Sequence, residues 1–395
     1  MRLIESIVPF YFLLMLIEII YTRYTKKDYY FYEDSLADLS LGVLSRIFDG
    51  LILLGIVFLY SKLYDLSIGV ETLSKIFLGP SSFLHWIVLF VLLDFLFYLA
   101  HRYSHEIKIL WASHVVHHSS EEFNLSVALR QSFIRNIGIG MFYLPLALLG
   151  FPVESYLIID ALNRTYQFWV HTRTIKKLPS WFEAVFVTPS HHRVHHAMNP
   201  EYIDKNYGGV FIIWDKIFGT YCEETFEPRY GLTSQLHNYD PINANVHVLK
   251  DLFSDLIHTK NKWQGIVSFF SYPSVRPDDL QMVMDRGVRD PKVWLSHHRL
   301  ELANKVHNPL HRLPSGKFFY RVYLFFQFIF PTILTLYFLK RMHLFNLPEV
   351  SSVFVLLVFS FYSLGKLLEG KKEWFRVEIP KYFSWLFLLV YFFTN

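Results

Sequence analysis

The residue type through which this chain could do chemistry is histidine. His101 and His105 stand four apart, His114, His117 and His118 form an H-x2-HH set, and His192, His195 and His196 repeat that set. On a helix, residues three and four apart share a face, so each group can aim two or three imidazoles at one point. A structural zinc takes four ligands and a catalytic one takes three plus water, so eight histidines in three groups point to two metal ions. Imidazole suits zinc, copper, iron and nickel, and the ligand type leaves the metal open. Such a pair beside an apolar interior suits oxygen activation on a lipid chain, for which iron adds a redox reach that zinc lacks. The alternative is metal-assisted lipid hydrolysis, but that chemistry usually brings bridging carboxylates, and few are present.

Several neighbours of these groups are candidates for supporting roles. Asp94 lies seven residues before His101 in the apolar run LLDFLFYLAH, where a carboxylate can accept the outer N–H of a liganding imidazole. Glu106 follows His105 directly and is the carboxylate placed inside the first group, as ligand, acceptor or cofactor contact. His171 ends the segment NRTYQFWVH and is predicted as a ninth ligand, with Gln167 one turn earlier as its hydrogen-bonding neighbour. His191 adjoins the third group but breaks its register, and belongs behind the ligands or on the surface.

These groups must be positioned by membrane helices. Of 395 residues, 52% are hydrophobic, 18% aromatic and 18% charged, below the usual charged share of about a quarter. The net charge of +4 is small and dispersed, which does not suggest a nucleic-acid partner. Cys222 is the single cysteine, so neither an intrachain disulfide nor a cysteine-built metal site can form. A bilayer crossing needs about 20 apolar residues, and apolar runs fall near 4–22, 42–60, 83–100, 134–149, 153–171, 319–340, 350–367 and 379–393. The first reads as a retained transmembrane helix and not a signal peptide. The fourth and fifth, joined by Gly150-Phe151-Pro152, read as an antiparallel hairpin. Arg23, Lys26 and Lys27, then Arg102 and Lys108, then Arg173, Lys176 and Lys177, then Lys366, Lys371, Lys372 and Arg376 follow alternate spans, which orients all three histidine groups towards the cytoplasm. The expected fold is all-α, a polytopic bundle of about eight spans with a cytosolic, histidine-rich cap for two metals. NYGGVFIIWDKIFGT at 206–220 is expected in that cap. His237, His247, His258, His297, His298, His307 and His311 have no site-like spacing and read as surface residues, with His297 and His298 on an interfacial helix.

H-x3-H, H-x2-HH and H-x2-HH together resemble the histidine boxes of the membrane-bound fatty acid hydroxylase and sterol desaturase superfamily. Within it, HRYSHE, HVVHHSSEEFNLSVALRQS, YQFWVHT, TPSHHRVHH and DKNYGGVFIIWDKIFGT are similar to the branch that cleaves ether lipids with tetrahydrobiopterin. The resemblance implies a di-iron monooxygenase that uses O2 to hydroxylate the ether-linked carbon of alkylglycerols, giving a fatty aldehyde and a glycerol derivative. It further implies iron on His101, His105, His114, His117, His118, His192, His195 and His196, and a required glutamate at Glu106. Tetrahydrobiopterin, or else a separate reductase or other donor, would bring the electrons. Sterol or fatty-acyl hydroxylation and desaturation are the other activities of the superfamily, and a zinc-dependent lipid hydrolase is the rival outside it. The expected division is 1–82 as N-terminal spans, 83–230 as the catalytic core, 231–318 as a cytosolic segment and 319–395 as C-terminal spans. The expected location is the endoplasmic reticulum in a eukaryote or the inner membrane in a bacterium.

Overall fold

Long apolar helices set the frame, and everything polar that is buried has to be satisfied between them. The computed structural model describes residues 2–77, 79–280, 318–370 and 374–394. Among them the helices of eight residues or more are α1 (Arg2–Tyr24), α2 (Tyr32–Asp65), α3 (Phe83–Glu106), α4 (Val153–Trp169), α5 (Pro189–His196), α6 (Pro241–His258), α7 (Phe318–Arg341), α8 (Leu347–Leu368) and α9 (Phe375–Thr394). Extended pairing among the described residues is limited to two isolated bridges, Phe186 with Phe211 and Ala197 with Tyr230. The chain is therefore all-α, as its composition indicates.

The number of spans differs from the eight expected. Among the described residues four helices are long and apolar enough to cross a membrane, Ile7–Tyr24, Phe83–Glu106, Phe318–Leu344 and Leu347–Leu368, and a fifth is the bent pair Tyr32–Gly50 and Ile52–Asp65. The run at 134–149 is broken into Arg135–Gly140, a 3-10 turn at Met141–Tyr143 and Leu144–Leu148. Pro145, with no N–H to give the preceding turn, starts the last piece. Its partner α4 is one helix, but it carries Asp160, Asn163, Arg164 and Gln167, with Asp160 and Asn163 buried and Asp160 ion-paired to Arg164 at 2.8 Å. The two segments do fold back on one another, through a turn in which Gly150 has φ +81° and a Cβ would lie 2.2 Å from Thr72 Oγ1. In α9 the first turns hold the buried ion pair of Glu378 with Lys381, which breaks the apolar character of that end.

Three packed clusters hold the frame together. Leu36, Ala37, Leu44 and Ile47 of α2 meet Leu324 and Phe328 of α7 and Leu357, Phe361 and Leu364 of α8. Leu89, Leu93 and Phe97 of α3 pack on Ile139, Tyr143, Leu146 and Tyr156, which explains why the broken segment stays buried. Val248 and Leu252 of the amphipathic α6 cover Ala112, Val115 and Val116 beside the second histidine group. His237 and His258 are exposed and His247 is half-buried, whereas His297, His298, His307 and His311 lie outside the described residues.

One buried ion pair joins α2 to the chain that follows the second group. Arg130 Nη1 lies 3.0 Å from Asp38 Oδ1, with side chains 4% and 0% exposed. Removing one partner strands the other charge, at a cost of about 3–5 kcal/mol. Asp38→Ala is accordingly expected to lower the thermal unfolding temperature of the detergent-solubilised protein markedly, read by loss of far-UV ellipticity.

Candidate metal centre

Each histidine is delivered by a local structure that its sequence makes natural. The last turns of α3 carry His101 and His105 on one face, where the helix leaves its apolar surroundings. His114 precedes the single helical turn Val115–His118, which carries His117 and His118. His171 follows the end of α4. The short α5 starts on Pro189, and places His192, His195 and His196 within two turns. All nine are at least nine-tenths buried.

The imidazoles gather into two groups. One potential ligand atom from each of His101, His105, His114, His118 and His195 lies within 4.8 Å of every other, and the same holds for His117, His171, His192 and His196. Within the first group His101 Nε2 is 3.0 Å from His114 Nε2, which is 3.1 Å from His118 Nε2, itself 3.1 Å from His195 Nε2. Within the second, His171 Nε2 is 3.2 Å from His117 Nε2 and 2.9 Å from His192 Nε2, and His192 Nε2 is 3.1 Å from His196 Nε2. Two nitrogens bound at right angles to one metal at about 2.1 Å stand about 3 Å apart. The groups adjoin, with the rings of His118 and His196 stacked at 4.3 Å.

The outer nitrogens decide what these contacts can be. His101 Nδ1 lies 2.8 Å from Tyr207 O, His195 Nδ1 3.0 Å from Lys205 O, His117 Nδ1 3.1 Å from Arg130 O and His171 Nδ1 2.8 Å from Gln167 O. A carbonyl oxygen only accepts, so each of these Nδ1 atoms carries the proton and each neutral ring turns a lone pair inward at Nε2. His117 and His171 thus face one another lone pair to lone pair, which is unfavourable without a cation between them. Protonation is a poor remedy, because burial pushes the His171 imidazole down to about 3 and holds His117 well below its usual value. Burial likewise lowers His195 to about 4, and burial followed by neighbouring imidazoles lowers His114, His118, His192 and His196. Neutral, converging, carbonyl-oriented imidazoles are the form in which histidine binds a metal, so the residues fit two such ions.

The polar layer behind the histidines departs in part from the sequence reading. Asp94 bonds no imidazole. It accepts from Val210 N–H at 2.8 Å, Phe211 N–H at 3.0 Å, Trp214 Nε1 at 3.0 Å and Asn163 Nδ2 at 2.8 Å, and so pins the loop that carries Tyr207. Gln167 orients His171 with its backbone carbonyl, while its side chain donates to Asn163. His191 is buried but belongs to neither group, and its Nδ1 accepts from Thr188 N–H at 3.3 Å at the start of α5. Glu106 also stands outside both groups, and its carboxylate pairs with Arg102 Nε at 2.9 Å.

Other residues in this layer were not anticipated. Asp215, fully buried, accepts from Tyr207 N–H, Gly208 N–H and Thr220 Oγ1 at 2.8, 2.8 and 2.6 Å, and burial lifts its carboxyl to about 6 against those three bonds. Arg193 clamps Glu224 with two bonds of 2.7 Å and donates to the carbonyls of Thr172, Ile175 and Lys176, which fastens α5 to the chain after His171. Glu18 of α1 accepts from Thr172 Oγ1, Tyr30 OH and, at 3.0 Å, Leu125 N–H. Glu18 and Asp38 carried the same signal as Asp94, an acid within an apolar run.

The comparisons agree with this geometry. Residues 86–220 match the family model described as fatty acid hydroxylase. The chain is 37% identical over 279 residues to the alkylglycerol monooxygenase of Homo sapiens, an alignment covering 69% of this chain and 60% of that protein. It is 37% identical over 228 residues to the alkylglycerol monooxygenase of Caenorhabditis elegans, covering 57% and 44%, and 33% identical over 132 residues to an ornithine lipid hydroxylase of Rhizobium tropici, covering 33% and 40%. The alignments thus span 60% or less of the length of these relatives. No solved structure matches.

His171 lies inside the second group and His191 outside both, so the pair tests the ligand assignment. His171→Ala is expected to lower bound metal from two equivalents towards one, measured by elemental analysis of purified protein. His191→Ala is expected to keep both and to lose only the helix-start bond, worth about 1 kcal/mol.

Proposed function

We propose that this chain, whose residues 86–220 match the fatty acid hydroxylase model, is an integral membrane di-iron monooxygenase of that family that hydroxylates the ether-linked carbon of alkylglycerol lipids. The observation that carries the reading is the convergence of nine buried imidazoles in groups of five and four at the end of an apolar helix. His101, His105, His114, His118 and His195 would hold one iron, and His117, His171, His192 and His196 the other. Iron in such sites supplies the Lewis acidity and redox reach that insertion of oxygen into a C–H bond requires. Tetrahydrobiopterin is proposed as the two-electron reductant on the resemblance of the sequence segments alone, and a separate protein donor is its alternative.

The chain's own contribution is placement. An alkylglycerol keeps its head group in water and its chain among the spans, so its ether bond lies at the depth where α3 ends in His101 and His105. The ether oxygen stabilises a radical on the adjacent carbon and makes that C–H bond the weakest near the interface. One atom of O2 enters there while the other leaves as water on the reductant's two electrons, and the resulting hemiacetal collapses to a fatty aldehyde and a glycerol derivative. The core 83–230 would do this chemistry, with 1–82 and 319–395 anchoring it. The lysines and arginines that follow alternate apolar runs favour a cytosolic site.

The deciding assay uses purified, iron-loaded protein and a chain-labelled alkylglycerol, with and without tetrahydrobiopterin. Fatty aldehyde is expected only with oxygen and the reductant. Anaerobic turnover would replace this reading with a hydrolase, and a hydroxylated chain with its ether intact would replace it with an acyl hydroxylase. Glu106→Gln is expected to insert and fold yet produce no aldehyde, since it keeps the shape of a carboxylate required beside the ligands and removes its charge.

A further inference from the structure

The carbonyl that orients His101 is one end of a peptide group whose other end is held by a buried carboxylate. We propose that Asp215 is a positioning residue for the first metal, acting on His101 through the Tyr207–Gly208 peptide. The proposal rests on the reading of His101 as a metal ligand.

Tyr207 O, which accepts from His101 Nδ1 at 2.8 Å, and Gly208 N–H, which donates to Asp215 Oδ2 at 2.8 Å, belong to the same peptide group. A carboxylate on the N–H end draws the proton and pushes electron density to the carbonyl, and bonds in such a chain strengthen one another by roughly 10–30% each. The carbonyl then takes the imidazole proton more strongly, making Nε2 a more basic donor and fixing its ring. This is the carboxylate–histidine–metal arrangement with one peptide group interposed. Asp215 Oδ1 holds Tyr207 N–H as well, so both peptide groups flanking Tyr207 are fixed.

His195 has a neutral counterpart. Its carbonyl belongs to the Lys205–Asn206 peptide, whose N–H donates to Thr220 O at 3.0 Å. The sequence also shows the approach that the relay requires. A Cβ at Gly208 would lie 2.6 Å from Phe211 O and 3.0 Å from Asp215 Oδ2, so a side chain there would displace the Phe211 carbonyl and crowd the carboxylate. Asp94 serves the next stretch of the same loop, at Val210 and Phe211, and does not touch the peptide that faces His101.

The test is stepwise release of cobalt(II) from the whole detergent-solubilised protein into a competing chelator, followed by the ligand-field absorption of the bound metal. Wild type is expected to hold two equivalents. Asp215→Asn keeps the shape but exchanges one acceptor for a donor. It is expected to weaken one equivalent about 10–100-fold, shift that equivalent's absorption, and leave the other as in wild type. Asp215→Glu, which keeps the charge, is expected to recover most of the affinity. Thr220→Val removes the 2.6 Å side-chain bond to Asp215 Oδ1 but keeps the carboxylate and its Gly208 N–H bond, and is expected to weaken that equivalent less than Asp215→Asn does. Gly208→Ala, which keeps Asp215 but crowds its carboxylate and the Phe211 carbonyl, is expected to weaken the same equivalent and serves if Asp215→Asn does not fold. Wild-type affinity at both sites in Asp215→Asn, equal weakening of both, or a selective loss in Thr220→Val as large as that in Asp215→Asn overturns the proposal. Uptake of fewer than two equivalents by wild type is a distinct result, in which the metal centre itself fails and the relay with it.

Discussion

The structure depends on the need to hold nine buried imidazoles converging in two groups. A buried histidine ordinarily finds one donor and one acceptor and is then at rest. Here carbonyl oxygens take the outer protons of His101, His117, His171 and His195, and those four rings are left with lone pairs directed at other histidines. Each carbonyl must itself be rigid, because a ring turned by a few tens of degrees no longer points at the common centre. The surrounding buried charges accomplish this. Asp94 and Asp215 fix the loop that serves the first group, and Asp38 fixes Arg130, whose own carbonyl serves the second.

Such an arrangement explains why a membrane protein spends so many acids in apolar helices. Glu18, Asp38 and Asp94 each sit within a candidate span, where an unpaired carboxylate is costly. Each is turned towards the histidine-bearing chain and satisfied there by backbone N–H groups, hydroxyls or a guanidinium. The transmembrane helices thereby act as struts for loops. Apolar packing sets where the helices stand, and these few polar bonds set the angular position of the segments between them.

The histidines themselves were legible because ligand spacing is written in the side chains. His101 with His105, and the two H-x2-HH sets, share faces by helical geometry, and His171 was legible from its position at the end of an apolar helix. The elements that aim them were not legible, since four of the acceptors are main-chain carbonyls, and any residue type carries one. Asp94 was expected to accept from a liganding imidazole, yet its partners are amides and an indole. Spacing along α3 shows which face it occupies and not what reaches that face from another part of the chain. The span count was over-read for a related reason. Apolar content alone does not distinguish a helix facing lipid from the broken segment 135–148, whose apolar side chains face α3 and α4.

The same geometry couples the fold to the metal. Lone pairs 3.2 Å apart at His117 and His171 repel, and burial removes the water that would otherwise screen them or donate to them. An ion bound between them turns that repulsion into two bonds, so much of the binding free energy appears as stability of the folded state. The pieces joined are distant in sequence, since the second group takes one histidine from the turn at 115–118, one from the end of α4 and two from α5. Metal uptake would therefore draw together three segments that apolar packing leaves only adjacent. The order of assembly follows from this. The helices and their buried acids must first bring the carbonyls into place, because an imidazole whose Nδ1 is not held is free to present the wrong nitrogen, and only then does the site gain its affinity.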